Sequence, residues 1–225
     1  MDQIKIELLH ITPEEVVIEA AKQSYELEEG DLNLVDRIIN KYHHESVAEH
    51  TTFNFKVSGV SRAELQEHMR HRISSSTVKS TRRTILKMLK SFGKIFETTD
   101  FLLSVSPEEW KPLLKKYFVH PKFDNIKEVQ DLYDSWLAST IITLHEVTKY
   151  TRNQDHLKSF LPESLRTSFV WSINLRSLRN FIKLRIDKSS HYEIRTVAQR
   201  LLESIKDTYA YRYFKDLEIP EKLDF

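Results

Sequence analysis

The sequence contains no cysteine and only three glycines in 225 residues. Without cysteine there can be no disulfide, no thiolate metal ligand and no cysteine nucleophile, so any chemistry must draw on other side chains or on a cofactor. Three scattered glycines do not make a glycine-rich phosphate loop. No apolar run approaches the roughly 20 residues that span a bilayer. The opening MDQIKIELLH also lacks the basic and long apolar segments of a signal peptide. A soluble, cytoplasmic protein without membrane association is expected. With a net charge of +1, the chain as a whole makes no case for a nucleic-acid partner. What it does have is 40% hydrophobic residues, enough for a substantial core. Neither repeats nor low-complexity linkers divide it, so one domain over residues 1–225 is expected.

Charge is concentrated locally instead. No acid lies between His68 and Phe96, whereas Arg70, Arg72, Lys79, Arg82, Arg83, Lys87, Lys90 and Lys94 all do. Just ahead of this window, Ser61 and Glu64 form an S-x-x-E capping box, which predicts a helix from Ser61 to about residue 70. The hydroxyl run 74–77 is poor helix material and reads as a turn, because short hydroxyl side chains compete for backbone hydrogen bonds. Arg70, His71 and Arg72 therefore sit at a helix exit. Guanidinium forks, hydroxyls and a histidine suit an anionic, phosphate-bearing ligand. The bland alternative is a solvated basic face.

Elsewhere the pattern predicts a strand over 5–10, a helix over 12–25 opened by Thr12, Pro13, Glu14 and Glu15, and a helix over 32–42 after Gly30 and Asp31. The segment HHESVAEH, residues 43–50, is rich in metal-type ligands, but after His44 and Glu45 it lacks the second histidine of H-E-x-x-H, and no metal is expected. Alternation over 52–57 predicts a half-buried strand, and Gly59 is expected to turn the chain into the Ser61 helix. Ser106 and its followers predict a helix start, and Asn125 with Glu128 another. The second opens the longest helix, whose apolar stripe from Ile126 to Val147 marks core or subunit interface. A strand over 168–173 and helices over 174–186 and 191–209 complete the chain.

The helix NLRSLRNFIKLR, residues 174–185, carries a second signal. At about 100° per residue, Arg176, Asn180 and Lys183 share one face, and Leu175, Leu178, Phe181 and Ile182 the opposite one. Arg185 falls within the apolar face, where a guanidinium needs an anionic partner, either an acidic side chain or a ligand phosphate. Two opposed polar sets favour two ligands, or a site assembled across subunits.

Arg70-His71-Arg72, seven residues and then Ser80 resembles the R-H-R-x7-S signature of the flavin-dependent thymidylate synthases, the ThyX family. ELLHITPEEVVIEAAKQSY, HESVAEHTTFNF, FLPESLRTSFVWSINLRSLRNFIKLR and HYEIR resemble further segments of that family, and residues 84–123 match it least, as a peripheral segment. The resemblance implies an α+β fold, a twisted, mainly antiparallel sheet flanked by helices (the thymidylate synthase-complementing protein fold), assembled as a homotetramer. It implies an enzyme that methylates dUMP to dTMP with FAD, methylenetetrahydrofolate and NADPH. His44, Ser46, Glu49, Arg70, His71, Arg72, Asn174, Arg176 and Asn180 match flavin-contacting positions. Glu67, Arg70, Ser80, Arg82, Lys158 and Arg185 match substrate positions, with Ser80 and Arg185 closest to catalysis and Ser80 orienting substrate rather than attacking it. Glu67, Val78, Lys158 and His191 depart from the family's usual residues. An acceptor-only carboxylate at Glu67 is expected to disfavour uracil and to tolerate cytosine better. Two alternatives remain open: an FAD-binding relative acting on another pyrimidine nucleotide, and a non-catalytic RNA-binding protein using the basic window.

Overall fold

The computed structural model describes residues 3–96, 107–121 and 123–217. Four strands form one sheet: β1 (Lys5–Ile11), β2 (Thr52–Ser61), β3 (Ser74–Val78) and β4 (Arg166–Asn174), in the order β1-β2-β4-β3 with every pair antiparallel. The two central strands alternate as their sequences require. Phe53, Phe55 and Val57 of β2 and Phe169, Trp171 and Ile173 of β4 all face the core. Burying each such side chain stabilises the fold by roughly 1.5–3 kcal/mol.

Each central strand runs directly into a helix. β2 leads into α3 (Arg62–His68) and β4 into α8 (Leu175–Arg185). Ser61 caps the first, accepting from the Glu64 N–H at 3.0 Å, and Asn174 caps the second, accepting from the Ser177 N–H at 2.8 Å. Such caps satisfy backbone donors that a helix leaves unpaired. The reciprocal half of the expected capping box does not form. The Ser61 N–H donates instead to Glu193 Oε2 at 2.8 Å, because α9 (Tyr192–Ser204) packs against α3, and the Glu64 carboxylate turns to His68.

Two further turn expectations give way to the sheet. The hydroxyl run is not a turn but strand β3, held by its ladder to β4. Gly59 does not end β2. It occupies a register shift within it, at φ +83°, where a Cβ would lie 2.0 Å from the Gln3 carbonyl oxygen. Thr12 likewise does not cap α1 (Glu14–Tyr25): it continues the β1–β2 pairing, and its hydroxyl accepts from the Thr52 N–H at 2.9 Å.

Helix α2 (Leu32–Asp36), capped by Asp31, continues into a π-helical turn, Arg37–Lys41. These elements, with α1, α8, α9 and the sheet, enclose one hydrophobic core. A second core joins α4 (Thr81–Phe96), α5 (Pro107–Tyr117), α6 (Lys127–Thr148) and α7 (Gln154–Lys158). The basic window is thus largely one face of α4, with Ile85, Met88 and Phe92 buried on the other. The expected helix start at Ser106 lies outside the described residues. Asn125 does not cap α6, since Ile126 holds that position without a side-chain bond. Along α6 only the later part of the stripe is core: Leu137, Ile141 and Leu144 are buried, while Ile126, Val129, Leu132 and Trp136 are exposed. No helix among the described residues is long and apolar enough to cross a membrane.

Candidate functional site

After α3 the chain turns tightly, with Arg70 N–H donating to the Glu67 carbonyl and His71 N–H to that of His68. The turn splits the motif. Arg70 and Arg72 point to solvent, and His71 points inward, edge-on to Phe181 with ring centroids 4.6 Å apart. Arg185 comes from the last turn of α8 to meet it: its Nε donates to His71 Nε2 at 3.0 Å, and its Nη1 lies 3.3 Å from Glu67 Oε2. The required counter-charge of Arg185 is therefore an acidic side chain of the same chain. Its side chain is one-fifth exposed, at the edge of the apolar face rather than in its middle.

An imidazole nitrogen that accepts from a guanidinium carries no proton, so neutral His71 holds its proton on Nδ1. Burial, reinforced by the charges of Arg185 and His68, lowers the His71 pKa to about 4. Behind it lies a pair that sequence reasoning missed. His68 is fully buried among Phe169, Trp171 and Phe181, with Nδ1 3.1 Å from Glu64 Oε1. Burial pushes the Glu64 carboxyl up, and the hydrogen bond to His68 opposes it. The i, i+4 spacing of the two residues was the available signal.

The other side of α8 faces a cleft of ≈ 660 Å³. Glu49, Arg176, Asn180 and Lys183 line it with the apolar Ile39, Ala48, Ile73 and Leu175. Arg176 Nη1 donates to Glu49 at 2.7 Å and its Nε to Glu45 at 3.0 Å. Glu45 was missed, although Glu45 and Glu49 lie on one short 3-10 turn, Glu45–His50. Asn174 stands at the start of α8 with its side-chain oxygen engaged in the cap. His44 stacks on Tyr25 and bonds its hydroxyl at 3.0 Å, and it is His43 that lines the cleft. Ser46 is exposed on the same turn. Ile73, next to Arg72, joins the R-H-R exit to the cleft rim.

A third group gathers at the start of α4. Ser80 precedes the helix, its carbonyl accepting from the Thr84 N–H. Arg82 donates to both oxygens of Asp155, at 2.9 and 2.7 Å, and Lys158 reaches the same carboxylate at 3.0 Å. Lys158 and then Arg82 hold the Asp155 carboxyl below its usual range. Asp155 was also missed; its place three residues before Lys158 on α7 was the local clue. No hydrogen bond or ion pair among the described residues links this group to Arg185.

A family described as "Thymidylate synthase complementing protein" matches residues 7–209. A flavin-dependent thymidylate synthase of Wolinella succinogenes is 36% identical over 197 residues, 85% of this chain and 86% of that protein. One from Campylobacter jejuni is 34% identical over 226 residues, 96% of this chain and 100% of its own length. The chain belongs to this family. Among solved structures, the flavin-dependent synthase ThyX of Helicobacter pylori with FAD and dUMP superposes with a TM-score of 0.75 at 26% identity, covering 92% of this chain and 96% of that one. The α+β fold with its antiparallel sheet and flanking helices is therefore that of the flavin-dependent thymidylate synthases, and the R-H-R exit, the α8 cleft and the Ser80 group are arranged within it.

Proposed function

We propose that this enzyme methylates dUMP to dTMP with FAD as its cofactor, taking the carbon from methylenetetrahydrofolate and the reducing equivalents from NADPH. Helix α8 carries the reading. It presents Arg176 and Asn180 to a cleft on one side and Arg185 to the R-H-R turn on the other, so that two anionic ligands can meet across it. The related H. pylori enzyme, seen with FAD and dUMP, supports the assignment.

The residues present fit a flavin dinucleotide. The cleft combines apolar walls, for a flat ring system, with polar groups from Glu49, Arg176 and Asn180, and its volume is within the range of about 300–1,000 Å³ usual for small-molecule sites. Arg70 and Arg72, exposed at the α3 exit, offer forked donors to a diphosphate. His44, Ser46, His71 and Asn174 flank these groups, and we read them as completing the cofactor site. When bound, FAD supplies the hydride chemistry that activates the pyrimidine, which suits a chain without cysteine.

The protein's own part is binding, alignment and charge stabilisation. Arg185, Arg70 and Arg82 provide cations for the nucleotide phosphate and for negative charge developing on the base. Ser80 orients the substrate and Lys158 adds a point charge. Neutral His71 acts as an acceptor that fixes the Arg185 fork. The cleft and the Ser80 group are held by separate parts of one chain, so we read the complete site as shared between copies in a homotetramer. We also read the enzyme as cytoplasmic. The absorption spectrum of the purified protein tests the cofactor: bound FAD gives a yellow protein with a visible flavin band, and a preparation that stays colourless after incubation with FAD rules the reading out.

A further inference from the structure

Asp155 gathers two cations at the start of α4. Nε and Nη2 of Arg82 donate to its two carboxylate oxygens at 2.9 and 2.7 Å, and Lys158 Nζ donates to Oδ1 at 3.0 Å. The backbone holds this carboxylate in place. Its N–H donates to the Asn153 side chain that caps α7, and Leu157, further along the same helix, is buried in one core with Ile85 and Met88 of α4. Only one edge of the Arg82 fork is used. A guanidinium presents its N–H donors in a rigid plane, so fixing the Nε–Nη2 edge turns the Nη1–Nη2 edge away from Asp155. No other side-chain hydrogen bond or ion pair engages Arg82 or Lys158 among the described residues. One carboxylate against two cations leaves a net positive charge, and the first turn of α4 holds no acid.

We propose that Asp155 is a positioning residue for the nucleotide phosphate: it clamps one edge of Arg82 so that the other edge is free to meet the phosphate, and it draws Lys158 alongside. This rests on the reading of Arg82 and Lys158 as substrate contacts. A long cationic side chain loses rotamer freedom when it binds a ligand, and with Asp155 in place that loss has already occurred in the free protein. The free edge can form paired, charge-assisted bonds to two phosphate oxygens, and the lysine adds a point charge. The proposal fixes a sign. Were Asp155 only a negative charge near the phosphate, removing it would tighten nucleotide binding by relieving repulsion. As a clamp, its removal weakens binding, and only for ligands that carry a phosphate.

The test is calorimetric titration of the full-length, FAD-supplemented protein with dUMP, deoxyuridine and inorganic phosphate, for wild type, Asp155→Ala and Asp155→Asn. Circular dichroism checks folding, and the second variant serves if the first misfolds. Asp155→Ala is expected to weaken dUMP and inorganic phosphate by about 2- to 10-fold and to leave deoxyuridine unchanged. Asp155→Asn keeps one acceptor oxygen for Arg82 and should recover part of the loss. Tighter binding of dUMP and phosphate would make Asp155 a competing anion and overturn the proposal. Equal weakening of dUMP and deoxyuridine overturns it as well, as does a loss of thermal stability with unchanged ligand binding, which marks a structural ion pair. If wild type binds no dUMP, yet phosphate still weakens in the variants, the positioning role stands and the substrate reading fails. If neither ligand binds any of the proteins, both fail.

Discussion

Replacing Arg185 with alanine tests the nucleotide role proposed for α8 separately from its structural role. Among the described residues Arg185 makes two polar contacts, the 3.0 Å bond to His71 Nε2 and the 3.3 Å pair with Glu67. After truncation Glu67 retains Arg70, and at roughly one-third exposure its carboxylate remains partly solvated, so the loss of folding stability is expected to stay below about 1 kcal/mol. On the proposed reading the nucleotide is expected to lose a charge-assisted contact, worth about 1.5–3 kcal/mol or roughly 10- to 150-fold in affinity. FAD affinity is expected to change little, because the cleft lies on the opposite side of the helix. Arg185→Lys keeps the charge but not the forked donors that reach both partners, and should recover only part of the loss. Titration of dUMP and of FAD, with thermal melts, supplies all three quantities. A variant that loses thermal stability while binding dUMP normally would show that Arg185 is a structural ion pair, and the argument would be wrong.

The converse variant, Arg176→Ala, is expected to weaken FAD by about 10-fold or more and dUMP far less, because it removes a cation from the cleft and leaves Glu45 and Glu49 uncompensated; equal losses for both ligands would contradict two separate faces. Acid sensitivity follows from His71. Its folded pKa, about 4, lies below the ordinary 6.5, so the unfolded chain binds more protons between those values. The contribution of His71 is complete above pH 6.5 and is lost as pH falls towards 4. The whole shift corresponds to at most about 3 kcal/mol, less after solvent screening. His71→Asn should flatten chemical-denaturation stability across that window, and an unchanged pH dependence would remove His71 as its source.

The central strands were legible because one face of each is buried: alternation at 52–57 and 168–173 is a local property of the sequence. Strand β3 was not, since its hydroxyl run has little intrinsic preference for a strand and is held by a ladder to residues far along the chain. Caps divided in the same way. Ser61 acts on its own helix and was readable, whereas the acceptor of the Ser61 N–H, Glu193, comes from another helix. Within the site, helical spacing alone separated Arg176 and Asn180 from Arg185 and required an anion for Arg185. That the anion is Glu67, and that Asp155 also holds Arg82, depends on tertiary packing that no local pattern encodes. The buried Glu64–His68 pair was hidden by its capping signature, which explained Glu64 too readily.

The most direct measurement of the central claim is dTMP formation from dUMP by the purified protein with FAD, methylenetetrahydrofolate and NADPH, followed by mass spectrometry of the nucleotide. The account expects a 14-dalton gain on dUMP that depends on all three additions and is abolished or severely reduced in Arg185→Ala. A protein that binds FAD and dUMP but yields no methylated nucleotide under these conditions, or one that methylates another pyrimidine nucleotide instead, would contradict it.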